Sequence, residues 1–80
     1  MDDREILDHI KGLVDDEHHL LERSGAAGLS AEEEARLRSL EEGLDQCWDL
    51  LRQRRARRRA GLDPDEAHAR DVDTVEHYRQ

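Results

Sequence analysis

Two stretches of the chain carry apolar residues at the spacing of an amphipathic helix. Residues 2–23 and 31–60 each show one apolar stripe. The first stripe consists of Ile6, Ile10, Leu13, Leu20 and Leu21, with Leu7 and Val14 at its edge. The second consists of Leu37, Leu40, Leu44, Cys47 and Leu51, which alternate between spacings of three and four residues. The pattern therefore predicts two long helices and an all-α fold.

The segment between the stripes, residues 24–29, has the composition of a tight turn. Gly25 and Gly28 break the helical pattern there. Ser30 follows as an N-cap, and Glu33 completes a capping box that starts the second helix. A short connection between two amphipathic helices indicates an antiparallel hairpin.

The hairpin also predicts which parts of the two helices face each other. Leu13 is expected near Leu44, and Ile6 near Leu51. The same register brings the acidic start of the first helix, residues 2–5, beside the basic residues 52–55. The charge pattern and the apolar pattern thus favour the same pairing.

A hairpin of two helices leaves one side of each apolar stripe in water. The sequence is also only 35% hydrophobic and 42% charged, so it cannot form a large core. A chain of this size is marginally stable alone. We therefore expect two copies to form a homodimer, a four-helix bundle. The candidate interface residues are Leu44, Cys47, Trp48, Leu50 and Leu51.

The last part of the chain, residues 62–80, is predicted to form a short helical arm. Asp63, Pro64 and Glu66 are typical of a helix start. Val72, Val75 and Tyr78 lie three residues apart and suit docking on the bundle. Partial docking is favoured over a frayed acidic arm.

The net charge of −8 is unevenly distributed along the chain. Residues 50–62 carry six arginines and no acid, whereas the rest of the chain is acidic. The candidate polyanion contacts in the Arg52–Arg59 run are Arg54, Arg55, Arg57, Arg58 and Arg59. The acidic total and the lack of interleaved aromatic residues favour neutralisation within the chain instead, so nucleic-acid binding is not the first expectation.

Glu17 lies on the centre line of the first stripe, where burial would require a partner. Pairing with Arg36, with Arg38 or with an arginine across the dimer is favoured over a carboxylate site in the bundle core. His18 and His19 project about 100° apart on a helix, which favours solvated side chains over a metal site. We expect no metal and no cofactor.

The sequence offers no positive case for catalysis. It has no Ser/His/Asp order, no glycine-rich phosphate loop and no CxxC pair, and Cys47 falls on the apolar stripe as a small buried residue. No signal peptide or long apolar run is present, which favours a cytoplasmic protein without a membrane segment.

The segment LEEGLDQCWDLLRQRRARRRAGLDPDEA, residues 40–67, together with LVDDEHHL and the final VEHYRQ, resembles a small family of bacterial proteins of unknown function, domain of unknown function 2630. The resemblance covers nearly the whole chain and implies that the chain is a complete protein. It implies a recurring pattern that includes Gln46, Cys47, Trp48 and the arginines. It implies no activity, cofactor or substrate.

The sequence therefore predicts a non-catalytic interaction or scaffolding module that acts as a homodimer. The alternative is a small regulator that binds nucleic acid or another polyanion through Arg52–Arg59. A metal-dependent enzyme is a third, weaker hypothesis, which requires a tightly bound metal that is lost with Glu17→Gln.

Overall fold

The computed structural model describes residues 2–25 and 28–70. Two helices account for most of this part of the chain: α1, Asp3–Ser24, and α2, Ala31–Arg59. A short 3-10 helix, Pro64–Glu66, follows them. No strand is present in these residues, and the predicted all-α class is confirmed.

Both helices begin at a capping box. In α1, Oδ1 of Asp2 accepts from the Glu5 amide at 2.8 Å, and Oε1 of Glu5 accepts from the Asp2 amide. In α2, the Ser30 hydroxyl accepts from the Glu33 amide at 3.1 Å, and the Glu33 carboxylate accepts from the Ser30 amide at 2.9 Å. Each box satisfies two amides that helix geometry leaves unpaired.

Glycines redirect the chain after each helix. Gly25 and Gly28, on either side of the first reversal, have φ of 51° and 81°. After α2, the amide of Leu62 donates to the Arg57 carbonyl at 2.8 Å, and that of Gly61 to the Arg58 carbonyl at 3.1 Å. This pair of bonds is a Schellman motif, which requires the positive φ of 74° at Gly61.

The core lies between the two helices and is small. The buried apolar residues of the described chain are Ile6, Ile10, Leu20, Leu40 and Leu51. Ile6, Ile10 and Leu51 form one cluster, against which Leu44, Cys47 and Leu50 pack partly buried. The extents of 51 × 25 × 15 Å describe a slab about one helix thick. Such a slab has no enclosed interior.

The remainder of the described chain, residues 62–70, is an arm that returns along α2. Its 3-10 helix begins at Asp63, whose Oδ1 accepts from the Asp65 amide at 2.9 Å. The helix start expected at Asp63 and Pro64 is therefore present, in the tighter 3-10 form. The expected docking of Val72, Val75 and Tyr78 concerns residues outside the described part.

The helices approach closely at Gly43. A Cβ atom built there would lie 3.4 Å from Cδ1 of Leu13, an ordinary van der Waals distance, whereas one at Gly12 on α1 would meet nothing within 4 Å. We predict that Gly43→Ala and the matched control Gly12→Ala each stabilise the protein by about 1 kcal/mol, the difference in helix propensity. Urea denaturation measures both values. A loss of stability with Gly43→Ala but not with Gly12→Ala would mean that Leu13 lies closer to residue 43 than this distance of 3.4 Å.

Candidate interaction surfaces

The two helices expose side chains on a common side of the slab. An α-helix turns by about 100° per residue, so the residue that follows a core residue points roughly a quarter-turn away from the core. Because both helices are right-handed and run antiparallel, this quarter-turn leads to the same side of the hairpin from α1 and from α2. We call this side the open face. Its residues on α1 are Leu7, Val14 and Leu21, and on α2 Glu41, Asp45, Trp48, Arg52, Arg55 and Arg59.

The open face carries most of the exposed large apolar side chains of the described chain. Leu7, Val14 and Leu21 are 45%, 44% and 46% exposed, and Trp48 is 42% exposed. The three α1 residues recur every seven positions and form one row along the helix. Leu21 was expected on the buried stripe but lies in this row. The fifth exposed large apolar residue of the described chain, Leu62, belongs to the arm.

Trp48 also borders an open cavity of about 650 Å³ at the outer edge of α2. The cavity is lined by Asp45, Trp48, Asp49, Arg52, Gln53, Ala56 and Arg70. Its walls carry side chains of both signs of charge, whereas a typical small-molecule pocket is mostly apolar. The indole is therefore accessible from the open face and from the side.

The arm, residues 62–70, covers the side of α2 that is opposite to the open face, and it does so through polar contacts. Nε2 of Gln53 donates to the His68 carbonyl at 2.6 Å and to Oδ2 of Asp49 at 2.9 Å, and Nε2 of Gln46 donates to the Arg70 carbonyl at 3.2 Å. Nε of Arg70 lies 3.5 Å from Oδ2 of Asp49, which is only 4% exposed. The sequence analysis placed Gln46 in a recurring pattern without a role, and it did not identify Asp49 or Gln53. The available signal was their recurrence every three or four residues on α2.

Arg54 joins three segments at one end of the slab. Its side chain is almost completely buried: Nε donates to Oδ1 of Asp3 at 2.6 Å, and Nη1 donates to Oδ1 of Asp65 at 3.0 Å and to the Pro64 carbonyl at 3.1 Å. These hydrogen bonds to Asp3 and Asp65 raise the pKa of Arg54. A buried guanidinium with Nε and Nη1 paired connects the start of α1, the end of α2 and the arm.

Asp3 receives a second arginine. Nη2 of Arg58 donates to its Oδ2 at 2.6 Å, and Nη1 of Arg58 to its Oδ1 at 3.2 Å. Hydrogen bonds from Arg58 and then Arg54 lower the pKa of Asp3 to about 2. The predicted meeting of the acidic start of α1 with the basic end of α2 is present at Asp3.

Some arginines of the run form ion pairs within the chain, and others do not. Arg54, Arg57 and Arg58 form ion pairs within the chain; Nη2 of Arg57 bonds Glu66 at 2.7 Å, and its Nε bonds the Asp63 carbonyl at 2.6 Å. Arg55 and Arg59 are exposed and make no ion pair with the described residues. Three of the five candidate polyanion contacts are thus neutralised by the chain's own carboxylates.

The structure distributes the candidate dimer residues between the core and the open face. Leu51 is fully buried between α1 and α2, and Leu44, Cys47 and Leu50 pack partly buried against its cluster. Burial raises the pKa of the Cys47 thiol, which keeps it protonated and suits the expected role as a small core residue. Trp48 is the member of this group that is exposed.

Glu17 is partly buried and forms no ion pair in the described part of the chain, so neither Arg36 nor Arg38 neutralises it there. His18 and Glu22 form an exposed pair at 3.3 Å. Among residues 2–25 and 28–70, no group of three or more His, Cys, Asp or Glu side chains is placed to hold a metal ion. Neither described helix has a stretch long and apolar enough to cross a bilayer.

These features define a small all-α hairpin protein whose exposed surfaces, rather than an enclosed pocket, are the candidate sites. Residues 2–80 match the family described as protein of unknown function (DUF2630), and the chain belongs to this family. Uncharacterized proteins of Mycobacterium bovis and of two Mycobacterium tuberculosis strains are 52% identical to it over 77 residues, which cover 95% of this chain and 88% of each relative. No solved structure matches the chain.

The low pKa of Asp3 gives a pH prediction for the Arg54 junction. The junction stabilises the protein at pH values above the ordinary aspartate pKa, and this contribution is lost as the pH falls towards 2. After allowance for solvent screening, we expect Asp3→Asn to cost about 1 kcal/mol at pH 7 and nothing near pH 2. Asp8→Asn, on an exposed part of α1, is the control. Urea denaturation at several pH values measures the difference, and a pH-independent difference would contradict the assignment.

Proposed function

We propose that this protein is a non-catalytic scaffolding module that acts as a homodimer, and that two copies associate through the open face. The dimer is a four-helix bundle in which the two slabs stack with their arms outward. The cytoplasm remains the location expected from the sequence.

The row of Leu7, Val14 and Leu21 is the observation that carries the proposal. A monomer gains nothing by keeping three large apolar side chains almost half exposed in one line, whereas a second helix that packs there covers all three. Trp48 extends the apolar surface from α1 to α2. The opposite side of α2 is occupied by the arm, whereas no described segment covers the open face.

The dimensions of the slab are sufficient for a dimer. A stable interface needs roughly 800 Å² from each partner, and the molecule as a whole measures 51 × 25 Å along its two longer axes. Burying the exposed part of one Leu, Val or Trp side chain contributes about 1 kcal/mol, half of the value for complete burial. Eight such side chains in a dimer contribute about 8 kcal/mol, against an association cost of about 4–15 kcal/mol. These contacts alone therefore leave at most about 4 kcal/mol, and we expect a weak, reversible dimer with a dissociation constant of about 1 mM.

The polyanion alternative has less support. Arg54, Arg57 and Arg58 already bind carboxylates of the same chain, and this leaves Arg55 and Arg59 of the five candidates. Binding of an anionic polymer at low salt that is lost with Arg55→Ala and Arg59→Ala would support that alternative over the scaffold.

Sedimentation equilibrium over a wide concentration range tests the proposal. Val14→Lys places a charge in the middle of the apolar row, and we expect it to raise the dissociation constant at least tenfold, about 1.4 kcal/mol. Leu62→Lys is the matched control, because it changes an exposed apolar residue of the arm by the same charge. We expect it to leave the dimer unchanged.

We expect circular dichroism to show that both variants keep their helices, because both positions are exposed. Two results would contradict the proposal: a wild-type chain that stays monomeric at millimolar concentration, or equal weakening by the two substitutions.

A further inference from the structure

We infer that the side of α2 beneath the arm is a binding site for an extended acidic segment of a partner protein, and that the arm is the chain's own occupant of this site. The site lies opposite the open face, so it stays clear of a dimer that forms there and does not depend on one. Three features of the described residues carry the inference: a row of hydrogen-bond donors on α2, the attachment of the arm without buried residues, and a cavity that the arm leaves unfilled.

Four side chains of α2 donate hydrogen bonds to backbone carbonyls of the arm, at distances from 2.6 to 3.2 Å. In order along the arm, the carbonyls are those of Asp63, Pro64, His68 and Arg70, and their donors are Arg57, Arg54, Gln53 and Gln46. The arm therefore runs antiparallel to α2 over about 16 Å. Because every peptide carries backbone carbonyls, these four bonds recognise the path of a segment rather than its side chains.

Two of the donors also select for negative charge. Nη1 of Arg54 donates to Oδ1 of Asp65 at 3.0 Å, and Nη2 of Arg57 donates to Oε2 of Glu66 at 2.7 Å. Hydrogen bonds between a guanidinium and a carboxylate are stronger than those between neutral groups. A segment that replaces the arm must supply the same carboxylate to Arg54, since this guanidinium is buried and loses stability when left unpaired. Two adjacent acidic residues are therefore the first requirement of the site.

The arm is attached to α2 without a buried residue. Pro64, Ala67 and Arg70 are half-buried, and the other residues of 62–70 are exposed. The carboxylate side chains of Asp65 and Glu66 are 72% and 68% exposed, so salt screens their ion pairs and each pair contributes little. A segment with so few buried contacts opens locally more readily than the helices do. Another segment of the same chemistry can then take its place.

The end of the arm leaves a cavity unfilled. An open cavity of about 220 Å³ lies between α1, α2 and the arm, and it is lined by His9, Gly43, Gln46, Cys47, Leu50 and Ala69. Ala69 contributes only a methyl group, whereas a leucine at the same place would bury its side chain against Leu50 and Cys47. The preferred partner segment therefore has two adjacent acidic residues followed, three positions after the second, by a large apolar residue. Such a segment binds more tightly than the arm's own sequence.

The side-chain amide signals of glutamine in NMR spectra test the site. The chain has no asparagine and three glutamines, Gln46, Gln53 and Gln80, so two of its three side-chain amides belong to the row of donors. In the double variant Asp65→Ala/Glu66→Ala, the arm loses both of its ion pairs with α2. We expect the signals of Gln46 and Gln53 to move towards those of a free glutamine side chain.

The matched control is Asp15→Ala/Glu22→Ala, which removes two exposed carboxylates of α1 and is expected to leave both signals in place. Circular dichroism checks that the helices persist in each variant. If Asp65→Ala/Glu66→Ala loses its helices, the single variant Glu66→Ala replaces it, because Glu66 pairs with Arg57 and leaves the Arg54 junction intact.

Synthetic peptides added to this variant test whether a separate segment binds. A peptide with the sequence of residues 62–70, LDPDEAHAR, is expected to return both glutamine signals towards their wild-type positions, with a dissociation constant of about 1 mM. The peptide with Ala69→Leu is expected to bind about fivefold more tightly, because its side chain enters the cavity. The peptide with Ala67→Leu is the matched control and is expected to show no such gain.

Three results would overturn the inference. The first is a pair of glutamine signals that stay in place in the arm variant, and the second is the absence of peptide binding at about 10 mM. The third is an equal gain in affinity from Ala67→Leu and Ala69→Leu.

Sedimentation of the wild-type chain with the Ala69→Leu peptide distinguishes a partner protein from a second copy. An unchanged association state is expected. A dimer that the peptide dissociates would show that the site holds the arm of a second copy, which would also overturn the inference. The proposed dimer is tested separately at Val14, on the open face, so the failure of one proposal leaves the other to its own measurement.

Discussion

The small thickness of the molecule limits how many side chains a single chain can bury. Two helices in a slab of 15 Å bury only the side chains that lie between them, and five apolar residues are buried in the described chain. Side chains a quarter-turn away on either helix remain accessible unless another segment covers them. Within the described residues, one side of α2 is covered by the arm and the open face stays accessible. The proposed dimer would enlarge a core that is small in a single hairpin.

Charged groups replace apolar ones where the core ends. Beyond Ile6 and Leu51, the next position that faces α1 is occupied by Arg54, whose guanidinium is held by Asp3 and Asp65. A buried charge is tolerated because both carboxylates and the Pro64 carbonyl accept its hydrogen bonds. The arginine thereby fixes the arm and the start of α1 to the same point. Loss of either partner would leave a buried group incompletely paired.

Local patterns predicted the elements of the fold but not all of its contacts. The capping box at Ser30 depends on a residue three positions away, so the sequence indicated it directly. The roles of the arginines did not follow from the sequence, because neighbouring members of a uniform run differ only in the direction they point. Arg54 lies on the side of α2 that faces α1 and is buried, whereas Arg55 lies a quarter-turn away and is exposed. The contacts of Gln46 and Gln53 depend on the path of the arm, and amide–carbonyl bonds leave no apolar pattern to detect.

The concentration dependence of thermal unfolding tests the dimer most directly. If the open face is buried against a second copy, association stabilises the folded chain by mass action, and the melting temperature rises as the protein concentration increases. The measurement is a series of calorimetric scans from micromolar to millimolar protein at constant buffer and scan rate. For a dimer, we expect the melting temperature to rise steadily with protein concentration over this series. A melting temperature that stays constant, with a monomer at every concentration, would contradict it.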